Sequence, residues 1–156
     1  MTELKVVVAP DSFKGSLTAK EVAESLARGS RRVWPDARIE LLPLSDGGDG
    51  WVESMVSAAS GSFVDVSVRG PLDDEVEARY GIIDVEGVTT AVIEMATASG
   101  LSLISEDRRD PRRTTTYGTG ELIRDALDRG ARRLLVGIGG SATNDGGAGM
   151  ASALGA

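Results

Sequence analysis

Gly137-Ile138-Gly139-Gly140-Ser141-Ala142-Thr143-Asn144-Asp145-Gly146-Gly147-Ala148-Gly149-Met150 decides how the rest of the chain is read. The apolar run Leu134-Leu135-Val136 before it predicts a buried strand, and Ala148 to Leu154 predicts the start of a helix. Between them lie glycines and the short polar side chains Ser141, Thr143, Asn144 and Asp145. Glycine lets the backbone turn and lets a ligand come close. Successive backbone N–H groups ending at a helix N-terminus form a site for an anion. Asp145 adds a carboxylate able to hold a metal ion or take a proton. The alternative is a strand-to-helix turn without a ligand, and the four polar side chains weigh against it.

The same strand-loop-helix order recurs upstream. Lys5-Val6-Val7-Val8-Ala9 predicts a buried strand of a parallel sheet. After the loop Pro10 to Ser16, Thr18-Ala19-Lys20-Glu21 reads as a capping box. The helix it opens runs to about Val33, with Val22, Leu26 and Val33 on one face. Ile39 to Leu42 is a second strand, followed by the loop Pro43 to Gly50. The next helix carries Val52, Met55, Val56 and Ala59, with Gly61 as its C-terminal cap. Then the period changes from helical to alternating: Val64, Val66 and Val68, a Gly70-Pro71-Leu72-Asp73-Asp74 turn, then Val76, Ala78, Tyr80 and Ile82. Glu86-Gly87 turns the chain into a further strand, Ala91 to Met95. Thr114-Thr115-Thr116-Tyr117-Gly118-Thr119-Gly120 leads into a helix bearing Leu122, Ile123, Ala126 and Leu127, which Gly130 ends.

This pattern predicts an α/β fold: an open, mostly parallel sheet with flanking helices, Rossmann- or flavodoxin-like, plus a β-meander subdomain. The expected divisions are 1–62, the first part of the α/β subdomain; 63–104, the meander; and 105–156, an α/β segment. The last segment stops barely two turns into a helix and reads as truncated.

Composition narrows the chemistry. The chain has 156 residues with 17 basic and 24 acidic side chains, a net charge of −7, which disfavours non-specific nucleic-acid binding. Aromatic residues are 4%, too few for base-stacking platforms. With neither cysteine nor histidine, disulfides, thiolate or imidazole metal sites and Ser-His-Asp catalysis are excluded. Any acid or base is a carboxylate, lysine, tyrosine or water. Met1 leads into a charged strand pattern rather than a signal peptide, and no apolar run approaches membrane-spanning length. The expectation is a soluble, cytoplasmic protein without membrane or nucleic-acid partners.

Three loops, residues 10–16, 44–50 and 137–147, share Gly, Ser and Asp. In an open parallel sheet such loops lie at the carboxyl ends of strands, where ligands bind. Their donors and carboxylates suit an anionic ligand with a divalent cation. Lys14 stands among only three lysines, the other cations being arginines, and suits a phosphate or carboxylate contact as a compact point charge. Asp46 and Asp145 are candidate magnesium ligands or proton acceptors, helix capping being the alternative. Capping is favoured for Asp49, and a turn-forming role for Asp11. Candidate substrate or nucleotide contacts are Ser12, Gly15, Ser16, Gly47, Gly48, Thr115, Thr116, Gly139, Gly140, Ser141, Asn144 and Gly146. Glu94 ends an apolar strand, where a carboxylate is costly unless paired, so function and structural pairing stand equal there.

Five motifs, in order, resemble those of the bacterial glycerate kinases. They are Asp11-Ser12-Phe13-Lys14-Gly15-Ser16, Asp46-Gly47-Gly48-Asp49-Gly50, Glu94-Met95-Ala96-Thr97-Ala98-Ser99-Gly100-Leu101, Thr114 to Ile123, and Gly137 to Met150. Asp49 and Trp51 stand where Glu and Thr are expected in that family, and its members are more than twice as long. The resemblance implies ATP-dependent phosphorylation of D-glycerate with Mg2+, 2-phosphoglycerate being the favoured product, in a cleft between two α/β domains. It also implies that a chain of this length is inactive on its own. Which loop holds ATP and which holds glycerate stays open. Two rival classes are a non-catalytic small-anion binding module and a magnesium-dependent phosphohydrolase.

Overall fold

A computed structural model of the chain describes residues 4–13, 16–45, 47–48 and 50–156. The chain divides into two compact units, Met1–Asp46 and Gly47–Ala156.

In the first unit, strands β1 (Lys5–Val8) and β2 (Arg38–Leu41) pair in parallel, from Lys5 opposite Arg38 to Val8 opposite Leu41. Helix α1 (Ala19–Val33) makes the crossover. Its capping box forms as the sequence predicts: the Glu21 N–H donates to Thr18 Oγ1 at 3.3 Å, and the Thr18 N–H donates to Glu21 Oε2 at 2.8 Å. Burial departs from the expected pattern. Within α1 the buried residues are Val22, Ala23 and Ala27, whereas Leu26 is 50% and Val33 67% exposed. Of the β1 valines only Val8 is buried, and Val7 is 52% exposed. Two strands of four residues offer too little surface to cover a wide apolar helix face.

The second unit contains α2 (Trp51–Ala59), β3 (Ser62–Arg69), β4 (Glu75–Val85), β5 (Val88–Glu94), the single turn α3 (Ala96–Ser99), α4 (Tyr117–Asp128), β6 (Arg133–Gly137) and α5 (Ala148–Ala153). Its sheet has the order β3-β4-β5-β6. The β3-β4-β5 meander is antiparallel, as the alternation predicts, and β6 joins it in parallel, from Thr90 opposite Arg133 to Glu94 opposite Gly137. The meander, expected as a subdomain of its own, therefore shares one sheet with the segment that follows it. Alternation along β5 sends Ala91 and Ile93 to one face and Val92 to the other. The first face packs Val68, Ala78 and Tyr80 under Leu122, Ile123 and Ala126 of α4. The second packs Ile83 under Val52 and Val56 of α2. Tyr80 is fully buried, and its hydroxyl donates to Asp125 Oδ2 at 2.7 Å, so the phenol keeps a partner inside the core.

Helix α2 ends differently from the prediction. The left-handed residue is Ser60 (φ 52°), one position before the predicted cap, and the Gly61 N–H donates to Val56 O at 2.9 Å. Among the described residues no helix is long and apolar enough to cross a membrane.

Gly81 lies on the α2 face of β4, where an added Cβ would collide with Val56 Cγ2 and lie 3.3 Å from Val52 Cγ1. Both valines are stiff at χ1 on a helix. Gly81→Ala is therefore expected to lower stability by about 1–3 kcal/mol, read as a shift in the urea midpoint. Adding Val56→Ala should recover part of that loss, because the two changes share one contact.

Candidate functional site

The Gly137 to Met150 loop leaves the carboxyl end of β6 and is stitched to the segment after β5. The Met95 N–H donates to Gly137 O (2.9 Å), the Leu101 N–H to Gly140 O (2.8 Å), and the Ala142 N–H to Ser99 O (3.0 Å). Inside the loop, Ser141 Oγ accepts from the Thr143 N–H at 3.0 Å and meets Thr143 Oγ1 at 2.9 Å. Gly140, Ser141, Asn144 and Gly146 lie exposed on it, and Gly139 is half-buried.

Asp145 has the densest set of partners in the loop. Its Oδ2 accepts from the Thr116 N–H (2.9 Å), the Thr116 hydroxyl (2.9 Å) and the Gly149 N–H (3.1 Å), and its Oδ1 accepts from the Gly147 N–H (3.0 Å). Thr116 Oγ1 in turn accepts from the Met150 N–H at 2.9 Å. One carboxylate thus joins the N-termini of α4 and α5, where negative charge is favoured. The helices meet closely because Gly149 has no side chain: a Cβ there would strike Thr115 Oγ1 and lie 2.8 Å from Tyr117 N. Burial alone would raise the Asp145 carboxyl, but the hydrogen bonds from Thr116, Gly147 and Gly149 outweigh it and hold it below the usual carboxylate range.

The neighbouring threonines are also engaged. The buried Thr114 donates its hydroxyl to Ala142 O at 2.9 Å. The Thr115 N–H donates to Pro71 O at 3.0 Å, and Thr115 Oγ1 accepts from the Tyr117 N–H at 3.2 Å. Ser99 and Thr119, both buried, pair their hydroxyls at 2.8 Å.

Gly47 and Gly48 meet the same loop backbone to backbone. The Gly139 N–H donates to Gly47 O at 3.4 Å, and a Cβ on Gly139 would lie 2.7 Å from Gly48 Cα. A Cβ on Gly137 would lie 2.7 Å from Trp51 Cε3. Beside this contact lies Glu94, for which the sequence left function and structural pairing equal; it is 4% exposed and accepts from the Val52 N–H at 2.7 Å. Its sequence signal was a charged residue closing an apolar strand. Its partner lies 42 positions upstream, beyond the reach of local pattern.

In the first unit Ser12 donates its N–H to Asp11 Oδ1 at 2.6 Å, and the Ser16 N–H donates to Phe13 O at 2.8 Å. Lys14, Gly15, Asp46 and Asp49 lie outside the described residues. Among the described residues no group of three or more carboxylates is placed to hold a metal ion.

The Asp145 clasp gives a measurable signature. Asp145→Asn leaves one acceptor oxygen and turns an amide NH2 toward N–H and O–H donors, so stability should fall by about 1.5–3 kcal/mol. The sign with pH follows from the lowered pKa. The carboxylate's contribution is complete above the ordinary value of 3.8 and is lost as pH falls through the depressed folded value. Urea midpoints measured between pH 7 and 2.5 should therefore drop more steeply in acid for the wild type than for the variant; parallel curves would remove the clasp.

A family model described as the glycerate kinase family matches residues 6–156. The chain is 56% identical to a glycerate kinase of Bacillus subtilis over 152 residues, covering 97% of this chain and 39% of that protein. It is 53% identical to a glycerate 2-kinase of Escherichia coli, covering 98% of this chain and 40% of that one. A crystal structure assigned as glycerate kinase 2, from Salmonella typhimurium LT2, superimposes with a TM-score of 0.80 at 55% identity, covering 99% of this chain and 41% of that chain. The chain thus spans about two fifths of the length of the curated relatives it matches. The matched residues run through all three glycine-rich loops, the Thr114 to Gly120 segment and the Asp145 clasp, and the chain belongs to the glycerate kinase family.

Proposed function

We propose that this chain carries ligand-binding loops of a kinase that transfers the γ-phosphoryl group of ATP to the 2-hydroxyl of D-glycerate. The observation that carries the reading is the Asp145–Thr116 clasp, which holds a loop of exposed amides and hydroxyls against two helix N-termini. The names of the relatives support glycerate as the substrate.

In the proposed reaction the glycerate hydroxyl oxygen bonds to the γ-phosphorus as the bond to the β,γ-bridging oxygen breaks, and ADP leaves. Such a transfer needs positioning and neutralised charge more than covalent chemistry. Gly140, Ser141, Asn144 and Gly146 offer donors to phosphate or carboxylate oxygens, and Lys14 offers a point charge. Asp46 is assigned the magnesium ligand or the acceptor of the hydroxyl proton. Asp145 does not fit a cation in this arrangement, because four hydrogen-bond donors already turn their positive ends toward it; its assigned role is to shape the loop. Magnesium, when bound with the nucleotide, supplies charge neutralisation at the phosphates. The reading takes the protein to be cytoplasmic.

The test uses the chain completed with the remainder of the Bacillus subtilis relative, with ATP, magnesium and D-glycerate, and follows ADP release and the phosphorus spectrum of the product. ADP should form only with glycerate, at about 1–100 per second, with phosphate on the 2-hydroxyl. ADP release without glycerate would favour a phosphohydrolase, and ligand binding without ADP a small-anion module. Lys14→Ala should reduce the rate on the order of 100-fold at an almost unchanged melting temperature. Asp46→Asn should regain part of its lost rate at higher magnesium if the residue holds the metal, and none if it takes the proton.

A further inference from the structure

Glu94 is a buried carboxylate to which the proposed reaction assigns no part. Burying such a group is costly unless it is hydrogen-bonded. Its Oε1 accepts from the Val52 N–H at 2.7 Å, within the range of charge-assisted bonds. Val52 is the second residue of α2, whose N-cap is Gly50, a residue with no side-chain oxygen to satisfy the helix's first N–H groups. The cap comes instead from the neighbouring strand end. The register places Glu94 opposite Gly137, so the same strand pair carries both the carboxylate and the start of the glycine-rich loop.

Contacts run on from there without a gap. The Trp51 N–H donates to Gly48 O at 3.1 Å, and Gly47 O accepts from the Gly139 N–H at 3.4 Å. The Gly47-Gly48 segment therefore lies between the first turn of α2 and the second loop glycine. Val52 and Val56 hold the helix onto the sheet through Ile83 and Val92, but apolar contacts permit it to slide or rotate. A directional bond to its first turn does not. We propose that Glu94 is a positioning residue: its carboxylate caps α2 from β5 and thereby docks Gly47-Gly48 against Gly137–Gly139. Its consequence for phosphoryl transfer rests on the kinase reading above, since Asp46 precedes Gly47 in sequence.

The test is an amide-resolved comparison of the wild-type chain with Glu94→Ala, Glu94→Gln and Glu94→Asp by 1H–15N spectroscopy and hydrogen exchange. Glu94→Ala should speed exchange of the Val52 amide by about tenfold or more and shift the Gly47, Gly48 and Gly139 resonances, while the Leu122 and Ala126 amides of α4 stay put. Glu94→Gln keeps an acceptor oxygen and should hold Val52 exchange near the wild-type rate. Glu94→Asp, one methylene shorter, should behave like the alanine variant and serves if that variant does not fold. Unchanged Val52 exchange and glycine resonances in the alanine or aspartate variant would overturn the proposal. So would shifts spread evenly through α4, which would mark a general loss of packing. The spectra need no turnover. Absence of glycerate-dependent ADP formation in the completed wild type would count against the kinase reading alone and leave the amide result to decide on Glu94.

Discussion

The carboxylate of Asp145 gathers more of the bonds that shape the glycine-rich loop than any other side chain described there. A loop with so many glycines has a large conformational entropy to lose, because glycine restricts the backbone least. Two of its glycines have no side chain to pack because other backbone occupies that space, so loop geometry must come from directional bonds. Asp145 supplies four of them, and Thr116 relays a fifth to Met150. The interaction is electrostatically consistent throughout, since every group turned toward the carboxylate is a donor and two of the sources are helix N-termini.

The sheet beneath sets where that carboxylate sits. β5 is buried along almost its whole length and is flanked by β4 on one side and β6 on the other. Its carboxyl end carries Glu94, and that of β6 carries Gly137, the pair that closes the register. The missing side chain at Gly137 leaves room for the Gly47-Gly48 backbone, which a Cβ there would strike. Close approach of three backbone segments at one edge is therefore a property of residue size as much as of attraction.

Much of this was legible in the sequence where the signal is local. The alternation of Val64, Val66 and Val68 against Val76, Ala78 and Tyr80 announced a hairpin, and the paired strands follow it. Thr18 and Glu21 announced their capping box. What escaped was non-local. Asp145 reads from the sequence as a metal ligand or base ahead of a cap, because its principal partner, Thr116, lies 29 residues away. Val22, Leu26 and Val33 share a helical period, and Val22 is covered as expected, but the partner surface leaves Leu26 and Val33 exposed and covers Ala23 and Ala27 instead. The helix end was misjudged by one residue because Ser60 adopts the left-handed conformation that glycine usually supplies. The composition, with neither histidine nor cysteine, was fully informative about which chemistries to exclude, and could not name glycerate.

Helix α5 depends on groups that lie outside it. Its supports come from elsewhere in the chain: the Thr116 hydroxyl at its start and the Arg124 guanidinium, which donates to Ala153 O at 3.0 Å, at its end. Both supports belong to α4 and the residue that leads into it. α5 thus leans on α4 at both of its ends. The loop between β6 and α5 is thereby tied at its far end to α4, so a change at Thr116 or Arg124 reaches the loop through α5.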